Sequence, residues 1–317
     1  MSAVGLSRQS RLYIAFFLIY FIWGSTYLAI RYAIETIPPF LMAGMRFTAA
    51  GLLMLLFLRW RGVALPPWSQ YWRLAVVGIF LFVGGNGLVV WAEQYIDSGL
   101  AALLVSMLPL WLIVLDWLWA GGPPPTLRAM LGITLGLIGT IVLLRPEWVI
   151  PALAETSSAA PLARQAEAPG EGWASIITVS ASALWAIGSI YQKKIERPRS
   201  IFMSAACQMT GGGIVLLLLS LVLGEWQQFD PRGVSLVSLA GFAYLFCFGS
   251  VVAISAYVWL LQNATASAVS TYAFVNPVVA LFLGWLIADE PMTLAILTGA
   301  GIILAGVILV ILTPAKS

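Results

Sequence analysis

Apolar runs of about twenty residues follow one another along the chain, broken by charges, prolines and glycines. A helix rises about 1.5 Å per residue, so roughly 20 apolar residues cross a hydrocarbon layer of about 30 Å. Ten runs meet that length, at about 12–33, 39–59, 72–94, 99–119, 127–145, 173–193, 201–223, 235–261, 267–288 and 293–313. The fourth and ninth contain Pro109 and Pro277, yet both are too long and apolar to be loops. Between the fifth and sixth runs, residues 146–172 are rich in Ala, Pro, Ser and Glu, a composition that forms no core and reads as a linker. The pattern predicts an all-α membrane protein of ten transmembrane helices, five in residues 1–145 and five in 173–317.

Composition agrees with this reading. Of 317 residues, 61% are hydrophobic and 9% charged, against about 25% charged in soluble domains. Such a chain cannot cover itself with polar surface, so its solvent is lipid. A net charge of +3, with basic residues scattered between apolar runs, argues against nucleic acid as a partner. The chain has no histidine, and its two cysteines, Cys207 and Cys247, both lie in apolar runs, so neither a metal site nor a disulfide framework nor a cofactor is expected. The run after the short N-terminus lacks a cleavage-site pattern and reads as a retained first span. With the N-terminus inside, eleven basic residues (Arg8, Arg11, Arg59, Arg61, Arg73, Arg128, Lys193, Lys194, Arg197, Arg199 and Lys316) gather on the cytoplasmic side. Four (Arg31, Arg145, Arg164 and Arg232) lie opposite. The positive-inside rule then puts both termini in the cytoplasm and the linker outside.

The halves repeat each other. An offset of 162 lays Trp23 on Trp185, Arg31 on Lys193, Phe40 on Phe202, Arg46 on Gln208, Thr48 on Thr210 and Gly51 on Gly213. An offset of 168 pairs Trp91 with Trp259, Gln94 with Gln262, Pro109 with Pro277 and Trp117 with Trp285. An offset of 167 pairs Gly132 with Gly299 and Gly139 with Gly306. Five spans is an odd number, so the second half enters the membrane inverted. Inverted repeats suit alternating access, because two halves with equivalent packing can exchange conformations around a central site. A duplicated but static bundle is the plainer alternative.

Several residues could carry function. Arg46 stands well inside the second span, where an unpaired guanidinium costs about 3 kcal/mol even on the lenient insertion scale. It must face a wet cavity or an acceptor, either as a ligand anchor or gating element or as a staple onto helix carbonyls. In Gly84-Gly85-Asn86-Gly87, three glycines thin the third span, and Asn86 offers a donor and an acceptor at mid-depth. Glu93 lies near the outer interface and reads as solvated. Pro109 and Pro277 each remove a backbone hydrogen bond at matching depth, as hinges or as passive kinks. Trp23, Trp185, Tyr257 and Tyr272 lie deeper than the interfacial Trp60, Trp68, Trp72 and Trp226. They could line a cavity for amphipathic or cationic solutes, or simply pack. Gly132, Gly136 and Gly139 form a packing stripe.

Trp23-Gly24-Ser25-Thr26-Tyr27, Pro38-Pro39 leading to Arg46-Phe47, Asn276-Pro277, and Asp289-Glu290-Pro291-Met292-Thr293 before Gly299 and Gly306 resemble the EamA family of the drug/metabolite transporter superfamily. Gly84 to Gly87 followed by Ala92-Glu93 is similar to its bacterial inner-membrane permeases. The resemblance covers nearly the whole chain. It implies a five-plus-five inverted arrangement, a central cavity lined by spans one to four and six to nine, and export of amino acids or other metabolites. It also brings Tyr27 and Asn276 into the candidate substrate set with Trp23, Arg46, Asn86, Trp185, Gln208, Tyr257 and Tyr272. One departure is Gly121-Gly122-Pro123, where the family often has an acidic residue.

The expected function is secondary transport of a small-molecule substrate through a lipid bilayer, by a chain for which a monomer suffices. A multidrug or cation efflux carrier is the runner-up, ahead of a channel or a lipid-modifying enzyme. No catalytic residues are expected, since paired carboxylates, histidine or a metal cluster are missing. With Glu93 taken as solvated, no buried carboxylate remains for proton coupling, and facilitated diffusion or exchange is the expectation.

Overall fold

The computed structural model describes residues 7–144, 170–264, 268, 269 and 271–311. Among them the regular secondary structure is helical throughout. Seven helices are long and apolar enough to cross a membrane: α1 Arg8–Ala33, α2 Pro39–Trp60, α3 Trp68–Ala92, α4 Ser98–Trp119, α6 Glu171–Lys194, α7 Ile201–Val222 and α8 Leu236–Leu260. Three of the expected spans appear as shorter apolar helices, α5 Leu127–Leu144, α9 Tyr272–Ala288 and α10 Leu294–Ile311. Most of the expected linker, up to residue 169, lies outside the described residues.

Local chemistry sets the helix ends. Ser7, Ser200 and Ser235 cap α1, α7 and α8 by accepting the backbone N–H three residues on. Helix α2 begins with Pro39, which needs no N–H partner, and its cap Pro38 has no side-chain acceptor. The missing acceptor comes from the other half of the chain. The Glu225 carboxylate, in a short helical turn after α7, accepts from Phe40 N at 3.2 Å and Leu41 N at 2.7 Å. A buried negative charge on two free N–H groups is the favourable sign at a helix N-terminus.

Helices α2 and α7 form one long pair and α5 and α10 another; α1 packs on α8 and α9, and α6 on α3 and α4. Contacts in the first two pairs are reciprocal. A Cβ on Gly51 would stand 2.6 Å from Thr210 N, and one on Gly213 would stand 2.5 Å from Thr48 N. A Cβ on Gly139 would meet Ile303 N at 2.9 Å, and one on Gly306 would meet Gly136 N at 2.9 Å. These backbones approach as closely as small residues allow, which is how helices associate where lipid leaves no hydrophobic drive. Large apolar side chains such as Tyr13, Phe17, Leu56 and Val222 stay exposed on the outside of the bundle.

The two prolines differ. Helix α4 breaks at Ser106–Met107, and Pro109 lies in the first turn of the segment Leu108–Trp119 that follows. Pro277 sits inside α9, which runs on without a break. Two further irregularities were not legible in the pattern. Helix α3 is wound as a π-helix over Ile79–Gly87, and α8 over Leu245–Val252. An offset of 166 lays one start on the other, so both halves loosen at the same place, a feature that recurs at functional sites.

Candidate functional site

The polar side chains of the interior descend from the Arg31 end of the bundle. Arg31 Nη1 contacts Glu290 at 2.6 Å and Asp97 at 3.0 Å. Glu290 also accepts from Ser98 N at 3.0 Å, Ser98 Oγ at 2.7 Å and Gly99 N at 3.0 Å, so it caps α4 as Glu225 caps α2. The backbone aims it there. Asp289 closes α9 with a left-handed φ of 51°, and the Glu290 N–H turns back onto the Gly284 carbonyl. Burial and the Glu290 carboxylate hold the Asp97 carboxyl above its ordinary range, against the pull of Arg31.

Tyr27 lies four residues before Arg31, about 6 Å along α1. Beside it stands Glu93, just past the end of α3, and here the expectation of a solvated carboxylate is wrong. Glu93 is 5% exposed, and neither of its oxygens has a hydrogen-bond partner. The sequence does contain a signal for this, because Glu93 falls inside the apolar run at 72–94.

Arg46 lies about two turns beyond the capped start of α2. It is buried, its Nε donates to Ser250 Oγ at 2.7 Å, and its guanidinium sits 4.5 Å over the Phe47 ring. A charge-assisted bond of about 1.5–3 kcal/mol and a desolvated cation–π contact of about 2 kcal/mol offset an insertion cost of about 3 kcal/mol. The side chain is therefore stable there without an ion pair, and its Nη1 has no partner. Ser250 lies in the π-helical part of α8, and nothing in the sequence marked it.

The other expected site residues divide into four groups. Trp23, Tyr257 and Tyr272 come together, with ring centroids 5.1, 5.2 and 6.0 Å apart, and Trp23 Nε1 reaches the Gly249 carbonyl at 3.4 Å. Tyr27 and Tyr272 pack on one hydrophobic cluster, and Tyr27 also faces Glu93. Trp185 stands apart, edge-on to Phe82 at 6.2 Å, and Phe82 in turn lies 4.5 Å from Phe47. Asn86 Oδ1 and Gln208 Nε2 are buried without partners, as is Thr48 Oγ1. Asn276 is a staple: with its amide turned to suit its surroundings, the nitrogen meets the carbonyls of Tyr20 at 3.2 Å and Tyr272 at 3.3 Å, tying α9 to α1.

Beyond Arg46 a mostly apolar cavity of about 680 Å³ opens toward the other end of the bundle. Two of its lining residues, Ala50 and Val251, stand one turn along from Arg46 and next to Ser250 in sequence. Polar groups with spare hydrogen-bonding capacity thus sit between an end tied by ion pairs and a cavity. That arrangement suits a solute with a charged group and an apolar body.

Comparisons with known proteins bear on the family and the fold. The model of the EamA-like transporter family matches residues 10–145 and 172–312. The inner membrane transporter YedA of Escherichia coli K12 is 37% identical over 302 residues, covering 94% of this chain and 90% of that protein. Protein PagO of Salmonella typhimurium is 28% identical, covering 94% of this chain and 93% of its own length. A protein of known crystal structure superposes with a TM-score of 0.62 at 19% identity, over 96% of this chain and 98% of that one, which shows a shared fold.

Proposed function

This chain belongs to the EamA-like transporter family, and from that premise we propose that it exports amino acids or related amphipathic solutes across the inner membrane by alternating access. The proposal includes ten transmembrane helices in two inverted five-helix repeats, over 1–145 and 173–317, with residues 146–172 outside and both termini in the cytoplasm. The reciprocal contacts of Gly51 with Thr210 and Gly213 with Thr48, and the π-helices at matching places, support the inverted repeat. The basic-residue asymmetry supports the orientation, which makes the Arg31 end the outer one.

The observation that carries the reading is Arg46, buried with Nη1 unpartnered, one helical turn from Ala50 in the cavity lining. In this proposal Arg46 anchors the solute's carboxylate, Trp23, Tyr257 and Tyr272 bound its apolar body, and Asn86 and Gln208 offer further polar contacts. Trp185 and Tyr27 flank the path, Asn276 holds α9 to α1, and Pro109 and Pro277 serve as hinge positions in α4 and α9. The partners are then a small-molecule substrate and the lipid bilayer, with no cofactor required and a monomer sufficient. A second reading, efflux of organic cations, is favoured by one observation, the unpartnered Glu93 carboxylate behind the aromatic group.

The test is an untargeted comparison of the solutes released by cells with and without the protein, followed by counterflow in proteoliposomes. A short set of amino-acid-like solutes that exchange is the expected result. Identical profiles with no counterflow would end the proposal. Arg46→Gln should abolish exchange of carboxylate-bearing solutes with folding intact, through a loss of about 1.5–3 kcal/mol of binding. Loss of expression and thermal stability in both Arg46→Gln and Arg46→Lys would make Arg46 a structural staple instead.

A further inference from the structure

Glu93 poses a problem of charge. Its two oxygens are shut away from solvent and accept no hydrogen bond. An ionised carboxylate in that setting costs several kcal/mol unless a cation or donors compensate it. The groups around it supply little. On α1, Tyr27 and Arg31 face it, and Arg31 is committed to Glu290 and Asp97. On α2, Arg46 bonds Ser250 and lies over Phe47; it attracts Glu93 through space but forms no ion pair with it. Glu290, from the turn after α9, adds a second negative charge. Helix α6 packs against the last turn of α3 and carries no Asp, Glu, Lys, Arg or Cys between Trp173 and Ile190.

We propose that Glu93 is an exchangeable cation site, occupied by a proton in the described conformation and by an ammonium group when a cationic solute takes the proton's place. On exchange the carboxyl O–H bond breaks, the proton leaves to water, and the incoming ammonium balances the carboxylate. One carboxylate then cannot hold proton and solute together, so solute movement in one direction is tied to proton movement in the other. On this proposal proton coupling has a carrier, where the sequence led to an expectation of facilitated diffusion or exchange. The coupling rests on the carrier reading; the exchangeable site does not.

The test uses purified full-length protein in lipid, followed by infrared difference spectroscopy of the protonated carboxyl stretch across a pH titration. Native protein should show a band that is absent in Glu93→Gln and present but displaced in Glu93→Asp. Methylammonium chloride, the simplest primary ammonium probe, should move the band's midpoint to lower pH, by about one unit once it exceeds its dissociation constant about tenfold. Sodium chloride at equal ionic strength should leave it in place. Native spectra matching Glu93→Gln at every pH would overturn the site. A titrating band that methylammonium does not move would overturn the exchange. If Glu93→Gln fails to fold, the displaced band of Glu93→Asp carries the assignment, and identical native and Asp spectra refute it. Because no transport is measured, failure here and failure of the export reading are separate results.

Discussion

At the Lys193 end of the bundle, Gly121 turns the chain with a φ of 75° and the Gly122 N–H returns to the Asp116 carbonyl at 2.9 Å. At the Arg31 end, Asp289 makes the same turn and the Glu290 N–H returns to the Gly284 carbonyl at 3.1 Å. The backbone motif is shared and the side chains are exchanged. One end has Asp at the first position and Gly at the second; the other has Gly first and Glu second. Each carboxylate fills the room its glycine partner leaves, since a Cβ on Gly122 would collide with the Asp116 carboxylate and one on Gly284 with that of Glu290. Each also meets the same-offset base, Lys193 in one case and Arg31 in the other. Their surroundings separate them. Asp116 and Lys193 are 37% and 62% exposed, whereas the Glu290 side chain is 5% exposed and holds three donors of α4 as well as Arg31. The same fold therefore has one tight end and one loose end, which is the asymmetry a carrier needs to rest in one conformation.

The largest test of this contrast is to remove each acid. Glu290→Ala leaves Arg31 with Asp97 alone and strips Ser98 Oγ and the buried first N–H groups of α4 of their acceptor, so a loss of about 3–5 kcal/mol is expected. Asp116→Ala breaks a solvated pair and should cost no more than about 1 kcal/mol. Thermal unfolding in one detergent measures both; equal losses would mean the two ends are equivalent.

An intermediate effect is expected from moving the acid within one motif. Gly122→Glu alone drives a Cβ into the Asp116 carboxylate and should destabilise by about 1–3 kcal/mol. Adding Asp116→Gly should recover most of that loss, giving a strongly non-additive cycle. Additive effects would show that the two positions do not share one space.

The smallest effect concerns pH. The folded Asp97 carboxyl is raised by burial and by Glu290. A carboxyl raised on folding favours the folded state most below its unfolded value of about 3.9, and that contribution is lost as pH rises through the folded value. Burial raises Glu225 too, against the N–H groups of Leu41 and Phe40, so it acts in the same direction. The unfolding temperature should thus fall modestly as pH rises through the mildly acidic range. Asp97→Asn should flatten the curve, and an unchanged slope would remove Asp97 from the account.

Much of this was legible in the sequence. Length and hydropathy set the helices, and the offset of 162 named the residues that meet across α2 and α7. Arg46 announced itself by cost alone. The aromatic group could be named but not assembled, because hydropathy cannot tell Trp185, which packs near Phe82, from Trp23, which joins Tyr257 and Tyr272. Glu93 was misread because position near a helix end suggests solvent, while its burial comes from side chains on helices distant in sequence. The caps from Glu225 and Glu290 were invisible for the same reason: each joins residues more than 180 positions apart. Pro109 and Pro277 match in sequence and differ in effect, since one follows a helix break and the other does not.

The central claim, that the Arg31 end is held shut while the other end is open, can be read from cysteine reactivity in membranes. With Cys207 and Cys247 replaced, Ser255→Cys reports on the cavity and Ala101→Cys on the buried first turns of α4. In the otherwise native protein a water-soluble maleimide should label Ser255→Cys and spare Ala101→Cys. Adding Glu290→Gln should reverse that preference. Ready labelling of Ala101→Cys before that change, or two unaltered rates after it, would contradict the account.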